Sequence, residues 1–169
     1  MIVIQVSDFS GPFEVVRDSK NDESLQSFID LWEKPTIYRL LGQTLGDLFI
    51  ADLSSGVPQT DRFKSIFNAF LLPNHHESKG MKPLLLACIS YQRDCKRQIK
   101  DSQSGYQQAS TENSSIISSR GAMRFGESKF NEYVNTAKAI QYKCQCEGET
   151  YPEFLGDTDF FIVKYGSLI

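Results

Sequence analysis

Apolar residues recur at helical spacing along most of the chain. Leu25, Phe28, Ile29 and Trp32 fall at i, i+3, i+4 and i+7, which predicts an amphipathic helix from a cap at Asn21 to about Lys34. Asp22 and Glu23 suit its electropositive first turn. Pro35 fits the first position of a second helix, where its missing amide costs nothing, and Ile37, Leu41, Leu45 and Leu48 then share a stripe. A third helix is predicted from a cap at Thr60, with Phe63, Ile66, Phe67 and Phe70 on one side and Pro73 as the stop.

The strongest helical pattern covers about residues 80 to 99. It places Leu84, Cys88, Tyr91, Cys95 and Ile99 on one stripe and turns Arg93, Lys96, Arg97 and Lys100 away from it. A last helix is predicted over about 128 to 145, with Phe130, Tyr133, Ala137, Ile140 and Cys144 in register. Short β-branched runs, IVIQV at 2–6 and FEVV at 13–16, flank the turn formers Ser10-Gly11-Pro12 and read as an edge hairpin or extended arm. Near the other end FFIVKY reads as a strand that must pair elsewhere. The sum is a mainly α fold: a compact bundle of about five helices, with short β-strand segments at the N- and C-termini.

Two stretches depart from this pattern. Residues 101–119, DSQSGYQQASTENSSIISS, offer only Tyr106, Ala109, Ile116 and Ile117 as apolar anchors, which predicts a flexible polar loop available to a partner. Residues 147–169 form a C-terminal tail carrying the short strand. At 169 residues the whole chain fits one domain, able to bury roughly two thirds of its unfolded surface without a disulfide or metal staple.

The formal net charge of −3 carries no footprint of a dedicated nucleic-acid binder. No apolar run reaches the ~18 residues of a membrane span, and MIVIQVSDFSG lacks the marks of a signal peptide, so a cytosolic protein with no membrane partner is expected. The four cysteines then read as reduced thiols, Cys88 and Cys95 in the core and Cys144-Gln145-Cys146 at a helix end.

Candidate chemistry is sparse. His75 and His76 adjoin Glu77, but they are the chain's two histidines and no further ligand joins them at metal-site spacing. No nucleophile elbow, H-E-x-x-H or phosphate loop is present, and the pattern predicts a non-enzyme with no cofactor. The glycine pair in RLLGQTLGDLFIADL has neither the spacing nor the lysine of a phosphate loop. It reads instead as a structural joint: Gly42 ends one helix, Thr44 and Asp47 restart the next as a capping box, and Gly46 admits a neighbouring helix.

The run LQSFIDLWEKPTIYRLLGQTLGDLFIADL, then KGMKPLLLACISYQRDCKRQ, a polar Ser/Thr/Asn loop and FNEYVNTAKAIQYKC together resemble a known family. They are similar to the small head-tail connector, or neck ring, proteins of tailed bacteriophages, in particular those of crAss-like and related Bacteroides phages. The likeness spans about residues 13 to 145 and rests on helical packing patterns. Pro35 stands where such proteins more often carry a helix-favouring residue, and FFIVKYGSLI has no counterpart.

The resemblance implies a structural virion protein, assembled in the host cytoplasm and resident in the virion neck. It would form a ring of about twelve copies, head to tail, dock to the portal and meet adjacent neck or tail rings. The ring would surround the DNA channel, close to packaged DNA without reading its sequence. Candidate oligomer or portal contacts are Tyr106, Ile116 and Ile117 in the loop, Arg93, Lys96 and Arg97 on the basic helix, and Phe160, Phe161 and Ile162 in the tail. The contrasting expectation is a small monomeric helical enzyme or regulatory binding protein, with a pocket around His75, His76 and Glu77.

Overall fold

The computed structural model of the chain describes residues 2–13, 19–73, 77–98, 100–102, 105–107 and 119–155. The fold is mainly α. Five α-helices are present among the described residues: α1 (Ser19–Leu41), α2 (Gln43–Asp52), α3 (Asp61–Phe67), α4 (Met81–Gln98) and α5 (Ser119–Cys146). Three short antiparallel hairpins join them: β1–β2 (Leu53–Ser54 with Val57–Pro58), β3–β4 (Phe70–Leu71 with Glu77–Ser78) and β5–β6 (Lys100–Ser102 with Gly105–Gln107).

Helix α4 is the centre of the packing. It packs against both α5 and α1. Leu84, Leu85, Leu86, Ala87, Cys88 and Ile89 are therefore all buried, and a helix apolar around most of its circumference is what a central position requires. Val134, Ala137, Ile140 and Cys144 of α5 and Leu25, Ile29, Ile37 and Leu40 of α1 close the core around it.

Helix α1 runs unbroken through Pro35, where a boundary between two helices is expected. Pro35 and Leu31 both face solvent, so the carbonyl left without its amide partner lies on the wet side, where water replaces the lost bond. Asn21, the expected cap, lies inside the helix. The break comes at Gly42, as the joint reading expects. The backbone there takes φ 78° and ψ 165°, a region open to glycine and strained for other residues, and α2 starts at Gln43.

The Thr44–Asp47 capping box does not form. Gly42 is the N-cap of α2, and the Asp47 carboxylate instead accepts from the hydroxyl of Tyr38. The break also resets the helical phase, so Leu45, Gly46 and Phe49 face inward while Leu48, expected on the buried stripe, is exposed.

Helix α3 is shorter than the pattern predicts. It stops at Phe67, and Phe70 pairs across β3–β4 with Ser78, so Pro73 is not the terminator. Phe49 of α2 packs edge-on against Phe63 and stacks on Phe67, which fixes α3 over α2.

The expected N-terminal strand at 2–6 is not one. Residues 2–5 bend at Val3 and belong to no strand, and two 3-10 turns follow at Val6–Asp8 and Gly11–Phe13. Its amides are satisfied by a side chain in place of a sheet neighbour, as described below. Residues 14–16 and the strand-like FFIVKY lie outside the described residues.

The polar stretch after α4 is also partly ordered. Lys100–Ser102 and Gly105–Gln107 form the β5–β6 hairpin, and α5 begins at Ser119, some nine residues before the apolar pattern that announces it. Residues 108–118 lie outside the described residues.

Candidate functional site

Two clamps hold the ends of the described chain against the helices. At the N-terminus, Glu33 sits on α1 between Ile29 and Ile37, one turn away from each on the buried stripe, and is only 1% exposed. Its carboxylate accepts three successive backbone amides: Ile2 at 2.8 Å on one oxygen, and Val3 at 2.5 Å and Ile4 at 2.6 Å on the other. A buried carboxylate demands such partners, and a segment whose amides have no strand partner demands such an acceptor.

The same strap, residues 2–9, sends Val3, Ile4 and Phe9 into the core. It passes close over the β1–β2 turn, where a Cβ at Gly56 would stand 3.2 Å from the Val3 carbonyl oxygen. At its far end Asp8 pairs with Lys82 of α4 at 2.8 Å.

At the other end, Tyr151 is buried although it follows α5 in the tail. Its hydroxyl donates to the carbonyl of Arg62 at 2.7 Å and lies 2.7 Å from the Ser65 hydroxyl. Arg62 pairs with Glu153, and its guanidinium rests over the rings of Phe63 at 4.9 Å and Tyr151 at 5.3 Å. Residues 151–153 are thereby fastened to α3. Beyond them Leu155 is 84% exposed.

The electrostatics of these groups follow from burial. Burial pushes the Tyr151 phenol up to about 12 and the Cys144 thiol up to about 12, and raises the Cys88 thiol further. Both cysteines are therefore protonated at neutral pH and pack as small apolar groups rather than acting as nucleophiles. Cys146 is exposed, and the Cys95 side chain lies outside the described ones. The hydrogen bond from Arg62 holds the Glu153 carboxyl below its ordinary value.

The joint residues come together around one aromatic ring. Tyr38, in the last turn of α1, lays its ring against Gly46 of α2 and reaches Asp47 with its hydroxyl. The amide of Gln141 on α5 donates to the Leu40 carbonyl at 3.3 Å, satisfying one of the carbonyls left open where α1 ends. Gly42 and Gly46 thus act as the joint reading expects, Asp47 acts through Tyr38 rather than through a cap, and Thr44 is exposed.

The expected contact residues are dispersed. Arg93, placed by the sequence on the wet face of α4, is only 5% exposed. Lys96 and Arg97 lie in the last described turn of α4, and their side chains are outside the described ones. Tyr106 stands in β6 opposite Asp101. Ile116, Ile117, Phe160, Phe161 and Ile162, like His75 and His76, lie outside the described residues, while Glu77 is exposed in β4.

Hairpin β5–β6 follows α4, and among the described residues its packing is chiefly with itself. Among the described residues no group of His, Cys, Asp or Glu could hold a metal ion, and no helix is long and apolar enough to cross a membrane. No protein family, curated protein or solved structure matches the chain.

Glu33 is the residue that pattern reading missed. Its signal was present: a carboxylate four residues from Ile29 and four from Ile37 falls on the core stripe, where an unpaired charge is not tolerated.

Proposed function

We propose that this chain is a ring-forming structural subunit of a phage neck, a head-tail connector that docks to the portal and helps join capsid to tail around the DNA channel. The observation that carries this reading is the β5–β6 hairpin. A two-stranded hairpin is marginal in water on its own, and β5–β6 packs chiefly with itself among the described residues, so a neighbouring subunit or ring supplies further cover. Its strands offer backbone groups to a partner by strand addition, a common mode of docking between proteins.

The rest of the molecule is consistent with a building block. Residues 2–4 and 151–153 are tied down by buried clamps, and Cys88 and Cys144 are held as inert core thiols. The helical order resembling neck ring proteins supplies the identity of the partners: copies of itself, the portal, and adjacent neck or tail rings. The virion neck is then its final place and the host cytoplasm its place of assembly.

The test is imaging of the purified subunit mixed with the portal. Rings stacked on the portal, with β5–β6 at a subunit boundary, support the proposal. Portal particles without added density sink it.

A further inference from the structure

We infer that α1 is hinged at Pro35, and that residues 2–4, held by Glu33, brace the hinge shut. The device belongs to the fold itself and does not rest on the ring proposed above.

The turn around Pro35 is the weak point of a 23-residue helix. Proline supplies no amide, so the Leu31 carbonyl one turn earlier has no intrahelical partner. The next carbonyl, that of Trp32, accepts from the Thr36 hydroxyl at 2.7 Å, a back-bond of the kind that bends helices. The Trp32 indole Nε1 is itself buried and meets no acceptor among the described residues. Long helices bend where their ladder of bonds is interrupted in this way.

The two halves of α1 are fastened to different neighbours. After Pro35, Tyr38 reaches Asp47 of α2, and the Leu40 carbonyl accepts from Gln141 of α5. Before it, Glu33 holds the amides of Ile2, Val3 and Ile4.

Those three residues close a circuit across the hinge. The Val3 carbonyl lies against the β1–β2 turn, 3.2 Å from where a Cβ on Gly56 would stand. That hairpin follows directly on α2, and α2 is tied through Asp47 to Tyr38, on the far side of the proline. Asp8 adds a second tie, to Lys82 of α4 at 2.8 Å. Bending α1 at Pro35 moves Glu33 relative to Tyr38, so it either breaks the amide bonds to Glu33 or drags the strap across Gly56. While those bonds hold, the hinge stays shut.

Trp32 is the chain's one tryptophan and lies in the turn that opens, so its fluorescence reports the hinge. The test follows acrylamide quenching of Trp32 and amide exchange in four proteins: the unaltered chain, Glu33→Ala, Pro35→Ala and the double variant. Glu33→Ala should raise the quenching and speed exchange at residues 36–39 by about tenfold, the worth of roughly one hydrogen bond, while α5 keeps its protection. Adding Pro35→Ala restores the amide to the Leu31 carbonyl and should return both readings to near those of the unaltered chain.

Two results overturn the hinge: a Glu33→Ala protein with unchanged Trp32 quenching and exchange, or a double variant as open as Glu33→Ala alone. Should Glu33→Ala fail to fold, the unaltered chain decides. The hinge predicts faster exchange at residues 36–39 than at residues 28–32 of the same helix, and uniform protection across Pro35 overturns it.

Discussion

The ring of Tyr38 occupies the space that a side chain at position 46 would need. A Cβ built on Gly46 would stand 2.7 Å from Tyr38 Cδ1, far inside van der Waals contact. The close approach lets the last turn of α1 fold over the first turn of α2, and the Tyr38–Asp47 hydrogen bond locks it there. Alanine is the better helix former by about 1 kcal/mol, yet Gly46→Ala should destabilise by about 1 kcal/mol, because the ring must move and its bond is lost. In a Tyr38→Ala background the same change should stabilise. Denaturant titration of the wild type, the two single variants and the double variant checks the reversal of sign.

Gly42 carries the turn between the two helices at φ 78° and ψ 165°. Gly42→Val places a β-branched residue in a region that only glycine enters freely, at a cost of about 1–3 kcal/mol. Thermal unfolding should show that loss, with folding or ring assembly impaired. A fully stable variant that assembles normally would remove the joint from this account.

Glu33→Ala removes the acceptor for the amides of Ile2, Val3 and Ile4. Each buried amide left unmade costs roughly 1–3 kcal/mol, so the strap should detach rather than stay docked. Hydrogen exchange at residues 2–4 should rise to the rate of an open chain while α4 and α5 keep their protection. Unchanged protection at those three amides would mean that Glu33 does not hold the strap.

The tail clamp should respond to pH at both extremes. Arg62 holds the Glu153 carboxyl below its ordinary value, so this pair contributes at neutral pH and the contribution fades as pH falls through the depressed value. Because the pair is partly exposed, Glu153→Gln should cost less than about 1 kcal/mol at pH 7, and nothing once the carboxylate is protonated in acid.

Tyr151 works in the opposite direction. Its phenol is raised to about 12, so its contribution is complete below the ordinary value of about 10 and is lost as pH rises from there. Tyr151→Phe should remove that alkaline component, at a cost of about 1 kcal/mol at pH 7 for the lost hydroxyl bonds. Stability measured against pH in the two variants checks both signs.

The helical class and the buried stripes were legible because each helix carries one apolar face at the 3.6-residue period. Leu25 and Ile29, Phe63 and Ile66, and Leu84 and Cys88 are buried where the spacing puts them. What misled was context that no local pattern carries. Pro35 marks a helix start only if its side of the helix is dry, and here it is wet. Arg93 belongs to a basic face only if α4 has a free side there, and its side chain is buried instead.

The candidate site was less legible than the fold. The clamps join residues far apart in sequence, Glu33 to Ile4 and Arg62 to Glu153, and a single chain's periodicity has no record of such pairs. Tyr151 gave no signal at all, since a tyrosine in a polar tail looks the same whether it is buried or free.

The central claim is that this chain closes into a ring on a portal, and native mass spectrometry of the subunit mixed with that portal tests it most directly. The account predicts a single added mass equal to about twelve copies of the chain, appearing cooperatively with few intermediate states. A spectrum containing free portal and free monomers at every mixing ratio would contradict it.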